Sequence, residues 1–493
     1  MLQRTVRPAL IGVLSAALGV AAAELLAAAT RPQAGPLVAV GGAVIDAAPT
    51  PVKEFAVRTL GTNDKPVLLG TIALVLVLFT AAVGIIGFRR RWVTIAGAAV
   101  FGLAGAAAAL ARPASIGWDV IPSLIGAAIA GLLLFHLARP SREVTIDRRK
   151  FLRAAVVLGG GALIAGATAE TVKRVRGGAV TKSREAIAFP APADPAKPLP
   201  SGIADGFYSE KLYRVDTALT VPRIDVSTWR MRIHGMVGRE VELSFDDLLK
   251  RPLIERDITL NCVSNEVGGP YVGTARWLGV PLAPLLAELG VDPAADQLVA
   301  RSVEGMTIGT PVATINDGRD AMLVVGMNGE PLPLEHGFPV RMLTPGLYGY
   351  AGACKWITDL ELTTFADYDA YWVKRGWGAR GPVKTASRID KPQPFAKLDG
   401  PTVTIAGVAW AQGRGIRNVE VRVDDRAWAK ADLLPVPSSD TWVQWRYNWD
   451  STPGPHTFAV RATDGTGAIQ AEERVTPFPD GATGWHSITA TVN

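Results

Sequence analysis

Long apolar runs dominate the first third of the chain. About 20 consecutive apolar residues cross the hydrocarbon core of a membrane, and four runs reach that length, at 8–28, 67–88, 92–111 and 118–138. A fifth run, 154–169, is shorter and rich in glycine. Charges and prolines interrupt the segment 36–57, which we interpret as an external loop that could include an interfacial helix. Residues 1–170 are therefore predicted to form a membrane domain of about five transmembrane helices.

The basic residues near these runs predict the orientation of the helices. They form three clusters: Arg4 and Arg7 before the first run, Arg89, Arg90 and Arg91 between the second and third, and Arg139, Arg142, Arg148, Arg149, Lys150 and Arg153 between the fourth and fifth. With five spans all three clusters lie on one side, which the positive-inside rule assigns to the cytoplasm. We expect a multi-pass protein of a bacterial cell membrane, with a cytoplasmic N-terminus and everything after residue 170 outside.

The stretch "DRRKFLRAAVVLGGGALIAGA" (147–167) resembles a twin-arginine export signal embedded in the chain. That pathway carries proteins already folded around a cofactor, so the resemblance implies a cofactor in the exported part. The alternative is that Arg148 and Arg149 are ordinary positive-inside charges. Both interpretations predict the same topology.

Beyond residue 170 the pattern becomes that of a water-soluble protein. Residues 171–206 are rich in Pro and Ala and are predicted to be a linker. The alternating run 229–237 predicts a strand, and 244–251 and 281–290 predict short helices, the first with Ser244 as its N-cap. A mixed catalytic domain is predicted over 207–396.

The pattern changes again near residue 397. Apolar and polar residues alternate in runs separated by turn residues, at 403–411, 418–424, 428–434, 442–450 and 456–464. Short strands at this regular spacing are typical of a β-sandwich. An immunoglobulin-like domain is predicted over 397–493.

The composition of the chain argues against several kinds of binding site. The net charge is only +6 over 493 residues, and the basic residues lie at the ends of apolar runs, which favours membrane topology over nucleic-acid binding. There are two cysteines and no CxxC or CxxCH motif, which argues against a structural zinc, an iron–sulfur cluster and a covalently attached haem. His136 is the only histidine in an apolar run, which argues against a bis-histidine haem there.

One of the two cysteines, Cys262, lies in the polar, glycine-flanked stretch "TLNCVSNEVGG" (259–269) after a strand-like segment. A structural cysteine usually lies within an apolar element. From the residues alone, Cys262 could be a buried thiol, a nucleophile or a single metal ligand.

Several stretches in this half resemble one family. They are "NCVSN" (261–265), "TARWLGVPLAPLL" (274–286), "MNGEPLPLEHGFPVRMLTPGLYGYAGACKWI" (327–357), "GVAWAQGRGIRNVEVRVDD" (407–425) and "WDSTPGPHTFAVRATD" (449–464). Together they resemble the sulfite oxidase family of molybdopterin enzymes over roughly residues 205–493. The expected architecture is an α-helical transmembrane bundle, an α+β molybdopterin domain and a C-terminal immunoglobulin-like β-sandwich of the dimerisation type.

The resemblance implies a role for the turn cysteine: Cys262 would be a thiolate ligand of molybdenum, since a soft thiolate suits such a metal and binds deprotonated. His336 and Arg341 match residues on the phosphate side of the pterin, where a planar guanidinium suits phosphate. The remaining implied cofactor contacts are Asp216, Thr217, Ser302, Ala353, Cys354 and Lys355, with Cys354 acting through its backbone.

The chain departs from the family pattern around the substrate. Family members that oxidise sulfite surround it with arginines, whereas Glu266 and Val267 stand where one of these is expected. The arginine expected near residue 216 is either replaced by Asp216 or displaced to Arg214. The substrate-contacting candidates are therefore Arg214, Tyr271, Lys374, Arg375 and Arg380. Sulfite specificity stays open.

The overall prediction is a membrane-anchored molybdenum oxidoreductase that catalyses oxygen-atom transfer, by sulfite oxidation or by reduction of an S-oxide or N-oxide. It would carry one molybdenum–molybdopterin, no haem and no iron–sulfur cluster. Its electron partner would be separate, a cytochrome or a quinone-linked protein. Whether the protein forms a homodimer is left open, and no nucleic-acid partner is expected.

The alternative is a non-catalytic membrane assembly or electron-transfer scaffold that retains the molybdopterin fold. Transport by the helices is disfavoured because charges within the runs are nearly absent, with Glu24 and Asp119 near their ends.

Overall fold

The structure, a computed structural model, describes residues 2–60, 63–138 and 148–493. It divides into two compact units. The helical unit comprises Met1–Lys182 and Thr217–Val221, and the β-rich unit comprises Ser183–Asp216 and Pro222–Asn493.

Seven α-helices form most of the described helical unit: α1 (Leu2–Ala29), α2 (Pro36–Ala47), α3 (Thr50–Leu60), α4 (Asp64–Gly87), α5 (Trp92–Leu110), α6 (Ile121–Leu137) and α7 (Arg148–Glu185). Five helical stretches are long and apolar enough to cross a membrane: Thr5–Ala29, Asp64–Gly87, Trp92–Leu110, Gly117–Leu137 and Phe151–Glu185. They coincide with the five predicted runs. Of the basic residues used for orientation, Arg139 and Arg142 lie outside the described residues, as does Asp147 at the start of the twin-arginine stretch.

The structure differs from two predictions in this part of the chain. The segment 36–57, interpreted as an external loop that could include an interfacial helix, is helical over most of its length, in α2 and α3. The linker was predicted to begin at residue 171, but α7 continues to Glu185. The physical reason is that 170–185 contains Lys, Arg, Glu and Ala and lacks proline until Pro190, so its polar composition does not end the helix.

Glycines let α1 approach two other helices of the bundle closely. A Cβ on Gly12 would lie 2.3 Å from the carbonyl oxygen of Thr80 in α4, and a Cβ on Gly19 would lie 2.3 Å from that of Gly126 in α6. Small residues at such crossings are how apolar helices pack in membranes, because van der Waals contact between backbones replaces the hydrophobic effect.

The first part of the β-rich unit has two sheets. Its elements are β1 (Arg230–Gly235), β2 (Val241–Ser244), α8 (Phe245–Leu249), β3 (Ile254–Asn261), β4 (Val272–Pro281), α9 (Leu282–Leu289), β5 (Gln297–Ser302), β6 (Thr307–Pro311), α10 (Val312–Ile315), β7 (Met322–Met327), β8 (Glu330–Pro331), β9 (Arg341–Leu343), α11 (Gly349–Gly352) and β10 (Ile357–Thr363). One sheet has the order β2-β1-β10-β5-β6 and the other β3-β4-β7-β8, with β9 paired to β7. Only β1 and β10 pair in parallel among these strands. Ser244 caps α8 as predicted, since its hydroxyl accepts from the amide of Asp247.

The second part has two more sheets. Its strands are β11 (Ala386–Lys391), β12 (Lys397–Leu398), β13 (Thr402–Trp410), β14 (Ile416–Val423), β15 (Ala429–Lys430), β16 (Asp432–Leu433), β17 (Val443–Asp450), β18 (Gly454–Asp464) and β19 (His486–Val492). The sheet orders are β11-β13-β17-β16 and β12-β19-β18-β14-β15. Both sheets bury alternate residues in one shared core that includes Ile405, Trp445, Val421 and Phe458, which makes this region a two-sheet sandwich.

The sandwich begins earlier than predicted. Strand β11 pairs with β13, although it precedes the predicted boundary at residue 397. Its sequence "ASRIDK" buries only Ser387 and Ile389, so its apolar pattern is too weak to identify it, and its partner strand stabilises it. The immunoglobulin-like identity of the sandwich stays a prediction.

Candidate functional site

The Cys262 thiol lies immediately after β3, at the start of a tight turn. Its amide donates to the carbonyl of Tyr271 at 2.9 Å, and its carbonyl accepts from the amide of Asn265 at 3.1 Å. Its Sγ lies 2.9 Å from the Ser264 hydroxyl. Burial raises the pKa of this half-buried thiol, while Ser264 and the Lys355 ammonium act in the opposite direction. The turn thus places the Cys262 thiol where the positive charge of Lys355 acts on it.

The sandwich holds the strand that carries Cys262. The carbonyl of Thr259 in β3 accepts from the Gln412 side chain at 3.0 Å, and its hydroxyl accepts from the amide of Trp442 at 2.7 Å. Arg388 of β11 donates to the carbonyl of Gly269, at the far end of the cysteine turn, at 2.8 Å. Both ends of the turn are therefore fixed by sandwich residues.

Gly337 brings together three residues predicted to bind the cofactor. It follows His336 and has φ +114°, and a Cβ there would lie 3.0 Å from the Cβ of Arg341 and 3.2 Å from the Cβ of Lys355. Only glycine combines that backbone conformation with so close an approach. The Arg341 guanidinium also donates to the carbonyl of His336 at 3.2 Å. His336, Arg341 and Lys355, each expected to contact the cofactor, therefore lie close to one another.

Arg341 is a buried cation without a carboxylate partner among the described residues. Its residue is 5% exposed, its Nε has no hydrogen-bond partner, and its guanidinium lies 5.1 Å from the Trp277 ring centroid. Burial lowers the pKa of Arg341 to about 10. Burial, with Arg341 and Lys355 nearby, lowers the pKa of His336 to about 4, so this imidazole is neutral at pH 7.

Lys355 is held by Asp216. Its ammonium donates to the Asp216 carboxylate at 2.7 Å and to the Glu335 carbonyl at 3.1 Å, and Arg214 donates to the same carboxylate at 2.8 Å. Burial lowers the pKa of Lys355 to about 8, against the opposing effect of Asp216. Asp216, predicted to contact the cofactor, is thus the shared partner of two cations.

The remaining residues predicted to contact the cofactor lie in turns, in the hydrophobic core or in the helical unit. The Ser302 hydroxyl accepts from the amide of Met306 in a turn, and Thr217 belongs to the helical unit. Cys354 is part of the main hydrophobic core, where burial raises its pKa to about 12. The amide of Ala353 donates to the carbonyl of Gly349 at the end of α11. None of these contacts tests their predicted roles.

Three predicted substrate cations lie against aromatic rings. Lys374 lies 4.9 Å from the Tyr368 ring centroid, Arg375 3.5 Å from that of Tyr371, and Arg380 5.4 Å from that of Phe365. Such cation–π contacts stabilise the positive charge at the ring. The pKa of Cys262 responds to the charge of Lys355, and none of the three basic side chains at 374, 375 and 380 contributes to it.

Two tyrosines near Cys262 were not identified from the sequence. The electrostatic neighbours of the Tyr213 phenol are Cys262 and Arg341, and its ring centroid lies 6.1 Å from that of Tyr271. Tyr348 is buried, and burial raises its pKa to about 12, with a further contribution from Cys262. Each tyrosine resembles a core aromatic in sequence, so no local pattern distinguishes it.

The residues present fit the phosphate side of a pterin. Arg341 is a buried guanidinium with an unpaired Nε, and the His336 ring has no hydrogen-bond partner among the described residues. A phosphate would complete both, because it accepts charge-assisted hydrogen bonds. Among the residues that the structure describes, no three His, Cys, Asp or Glu side chains could together hold a metal ion. A metal at Cys262 would then take its other ligands from the bound cofactor.

Comparison with known proteins shows what the chain is similar to. Residues 218–372 match the family model of the oxidoreductase molybdopterin binding domain. Mitochondrial sulfite oxidase of Mus musculus is 30% identical over 282 residues, which cover 48% of this chain and 51% of that protein. The uncharacterized oxidoreductase YuiH of Bacillus subtilis (strain 168) is 29% identical over 161 residues, which cover 32% of this chain and 76% of that protein.

Among solved structures, the sulfane dehydrogenase SoxCD of Paracoccus pantotrophus covers 56% of this chain and 80% of that chain, with a TM-score of 0.49 and 22% identity. The chain spans about half the length of the mitochondrial sulfite oxidase it matches. The predicted resemblance to molybdopterin enzymes of the sulfite oxidase family is confirmed for residues 218–372.

Proposed function

We propose that this chain, whose residues 218–372 are a molybdopterin-binding oxidoreductase domain related to sulfite oxidases, is a membrane-anchored enzyme of oxygen-atom transfer. The reaction would be sulfite oxidation or the reduction of an S-oxide or N-oxide. The bound molybdenum–molybdopterin would supply the exchange of an oxygen atom and two electrons with the substrate.

One observation carries the proposal. The charge of Lys355 acts on the Cys262 thiol, and Lys355 lies close to Arg341 around Gly337. Arg341 is a buried guanidinium with an unpaired Nε and no carboxylate partner among the described residues. A buried charge without a partner is costly unless a ligand completes it. The matched domain family gives the chemical identity of such a ligand.

The chain's own residues would each have a defined task. Cys262, as thiolate, would hold the metal. Arg341 and His336 would bind the phosphate side of the pterin, and Lys355 would contact the pterin while Asp216 keeps its ammonium in place. The sandwich would keep the turn rigid through Gln412 and the other contacts at Thr259 and Gly269. Orientation of the reacting groups is what such a scaffold contributes to catalysis.

The remaining parts of the proposal concern location and partners. The five apolar helices would anchor the protein in a bacterial membrane, with the β-rich unit outside and the N-terminus in the cytoplasm. No haem or iron–sulfur cluster is proposed, so electrons would pass to or from a separate cytochrome or quinone-linked protein. The sandwich is proposed to be immunoglobulin-like, and it could support a homodimer.

A non-catalytic scaffold is the second candidate. Glu266 and Val267 in place of an expected arginine favour it, as do the aromatic contacts of Lys374, Arg375 and Arg380. In that case the molybdopterin fold would bind a partner in the membrane and no metal would be needed.

Metal analysis of full-length wild type beside Cys262→Ser separates the two candidates. Made in cells that assemble the cofactor, the wild type is expected to hold about one molybdenum per chain, and the variant to lose both metal and turnover, because a serine hydroxyl replaces the thiolate. Cys354→Ala is the matched control and should retain molybdenum. A wild type purified from such cells without molybdenum would exclude the enzyme and favour the scaffold.

A further inference from the structure

Tyr213 lies close to residues on both sides of the turn that carries Cys262. A Cβ on Gly349 would lie 4.0 Å from the Tyr213 hydroxyl and 3.9 Å from the carbonyl oxygen of Asn261, the residue before Cys262. On the other side, the Tyr213 ring lies against that of Tyr271, whose carbonyl accepts from the Cys262 amide. The half-buried phenol therefore lies near the residues that flank the cysteine turn on both sides.

The hydroxyl of Tyr213 has no hydrogen-bond partner among the described residues. A phenol keeps its proton at neutral pH, so this hydroxyl is a hydrogen-bond donor. Tyr213 is half-buried, so its hydroxyl can donate a hydrogen bond to an acceptor atom of a bound ligand.

The charges around the cysteine disfavour a dianionic ligand. Lys355 is the cation whose charge acts on Cys262, and it is paired with Asp216, whose side chain is 3% exposed. The pKa of His336 is about 4, so its ring is neutral at pH 7. Arg341 is assigned above to the phosphate side of the cofactor. Lys355 and Arg214 share the single carboxylate of Asp216, which leaves one net positive charge in this group, fewer than the two that would balance a dianion.

We infer that Tyr213 is a substrate-contacting residue, whose phenol donates a hydrogen bond to the oxygen of an uncharged S-oxide or N-oxide bound beside Cys262. This inference rests on the proposed function and names its substrate class and direction. For an S-oxide the sulfur–oxygen bond breaks, sulfur is reduced and keeps the electron pair, and the oxygen leaves as water with two protons. The two electrons come from a reduced cytochrome or a quinol-linked partner.

The test compares full-length wild type with Tyr213→Phe, which removes only the hydroxyl. Tyr208→Phe is the matched control, because the Tyr208 hydroxyl donates to Asp257 at 2.8 Å and that carboxylate also accepts from Arg276. Metal analysis should give the same molybdenum content for all three proteins. Titration of each oxidised protein with dimethyl sulfoxide, without an electron donor, then follows the visible absorption of the metal centre.

We expect Tyr213→Phe to weaken the binding of dimethyl sulfoxide by roughly threefold to tenfold, the effect of one lost hydrogen bond between neutral groups. With reduced methyl viologen as donor, its KM should rise by a similar factor, whereas Tyr208→Phe should match the wild type. The wild type should also have a higher kcat/KM for dimethyl sulfoxide than for sulfite with ferricyanide as acceptor.

Each contrary result has a distinct meaning. A loaded and active wild type that Tyr213→Phe equals in affinity and KM would overturn the role of Tyr213. A preference for sulfite would overturn the substrate class, and loss of molybdenum in Tyr213→Phe would show that the phenol serves the cofactor. A wild type without molybdenum would overturn the proposed function itself, and this inference with it.

Discussion

Asp216 is the residue that sets the charge balance beside the predicted metal ligand. Its carboxylate binds both Lys355 and Arg214. Lys355 lies 139 residues after Asp216 in the chain, so only the folded structure shows that it shares this acid with Arg214. One carboxylate thus fixes the position of two cations.

The pairing predicts how the stability of an Asp216→Asn variant depends on pH. Lys355 stays protonated in the folded wild type up to about pH 8, and below that pH the carboxylate stabilises a buried charge. Removing one partner of such a pair costs about 3–5 kcal/mol. As the pH rises through the pKa of Lys355, its ammonium becomes neutral and this part of the cost disappears. Thermal unfolding of the full-length protein in detergent, followed by tryptophan fluorescence, should therefore show a deficit that shrinks as the pH rises to 8 and above.

Asp247→Asn is the control for this measurement. The pKa of Asp247 is lowered to about 2 by the Ser244 cap and Lys250, so its carboxylate stays charged at every pH used. Its effect on the unfolding midpoint should not vary with pH. A deficit of Asp216→Asn that is equally flat would show that the protonation of Lys355 is not coupled to that carboxylate.

At the scale of elements, the contact between β11 and β13 links the sandwich to the cysteine turn. Strand β11 carries Arg388, which donates to the carbonyl of Gly269, and it pairs with β13 at Gly407. A Cβ on Gly407 would lie 1.9 Å from the carbonyl oxygen of Arg388. The glycine therefore permits the backbone approach that places this arginine.

We expect Gly407→Ala to displace β11 and to lower both stability and molybdenum content. Overpacking of this kind costs about 1–3 kcal/mol, and the displaced Arg388 would no longer hold the turn. The thermal midpoint and the metal content of the purified variant are the measurements. Thr404→Ala lies on the exposed face of the same strand, where it removes only an exposed hydrogen bond to Asn448. It should change the free energy of unfolding by no more than about 1 kcal/mol and leave the molybdenum content unchanged. If Gly407→Ala keeps full stability and full molybdenum content, the strand does not support the site.

The helices and strands differ in how well their patterns identify them. The five long apolar stretches coincide with predicted runs, because a membrane-length apolar run has few alternative structures. Strands β13, β14, β17 and β18 correspond to predicted runs, in which at least part of each strand alternates apolar and polar residues. Strands β11 and β19 were not predicted. The apolar pattern of β11 is weak, whereas β19 with its sequence "HSITATV" does bury alternate residues, and that signal was missed.

At the scale of the whole molecule, the distribution of basic residues predicts which unit is exported. Alkaline phosphatase is active only outside the cytoplasm, so fusions after Asn493 and after Arg90 report the two predicted sides. We expect the fusion after Asn493 to be active in a bacterial host and the fusion after Arg90 to be inactive. Equal expression of the two fusions, checked by immunoblot, is the control. Activity of the Arg90 fusion alone would reverse the proposed orientation.

The sequence by itself determined the apolar helices, the strand-rich second half, the cysteine turn and the motif that contains His336 and Arg341. These features are encoded by composition, periodicity and residues adjacent in the chain. Only the tertiary structure decided the pairing of Asp216 with Lys355 and the position of the Tyr213 phenol. It also decided the hydrogen bonds from Gln412 and Trp442 to strand β3. Those contacts join residues far apart in the chain, and their energies depend on burial, which no local pattern contains.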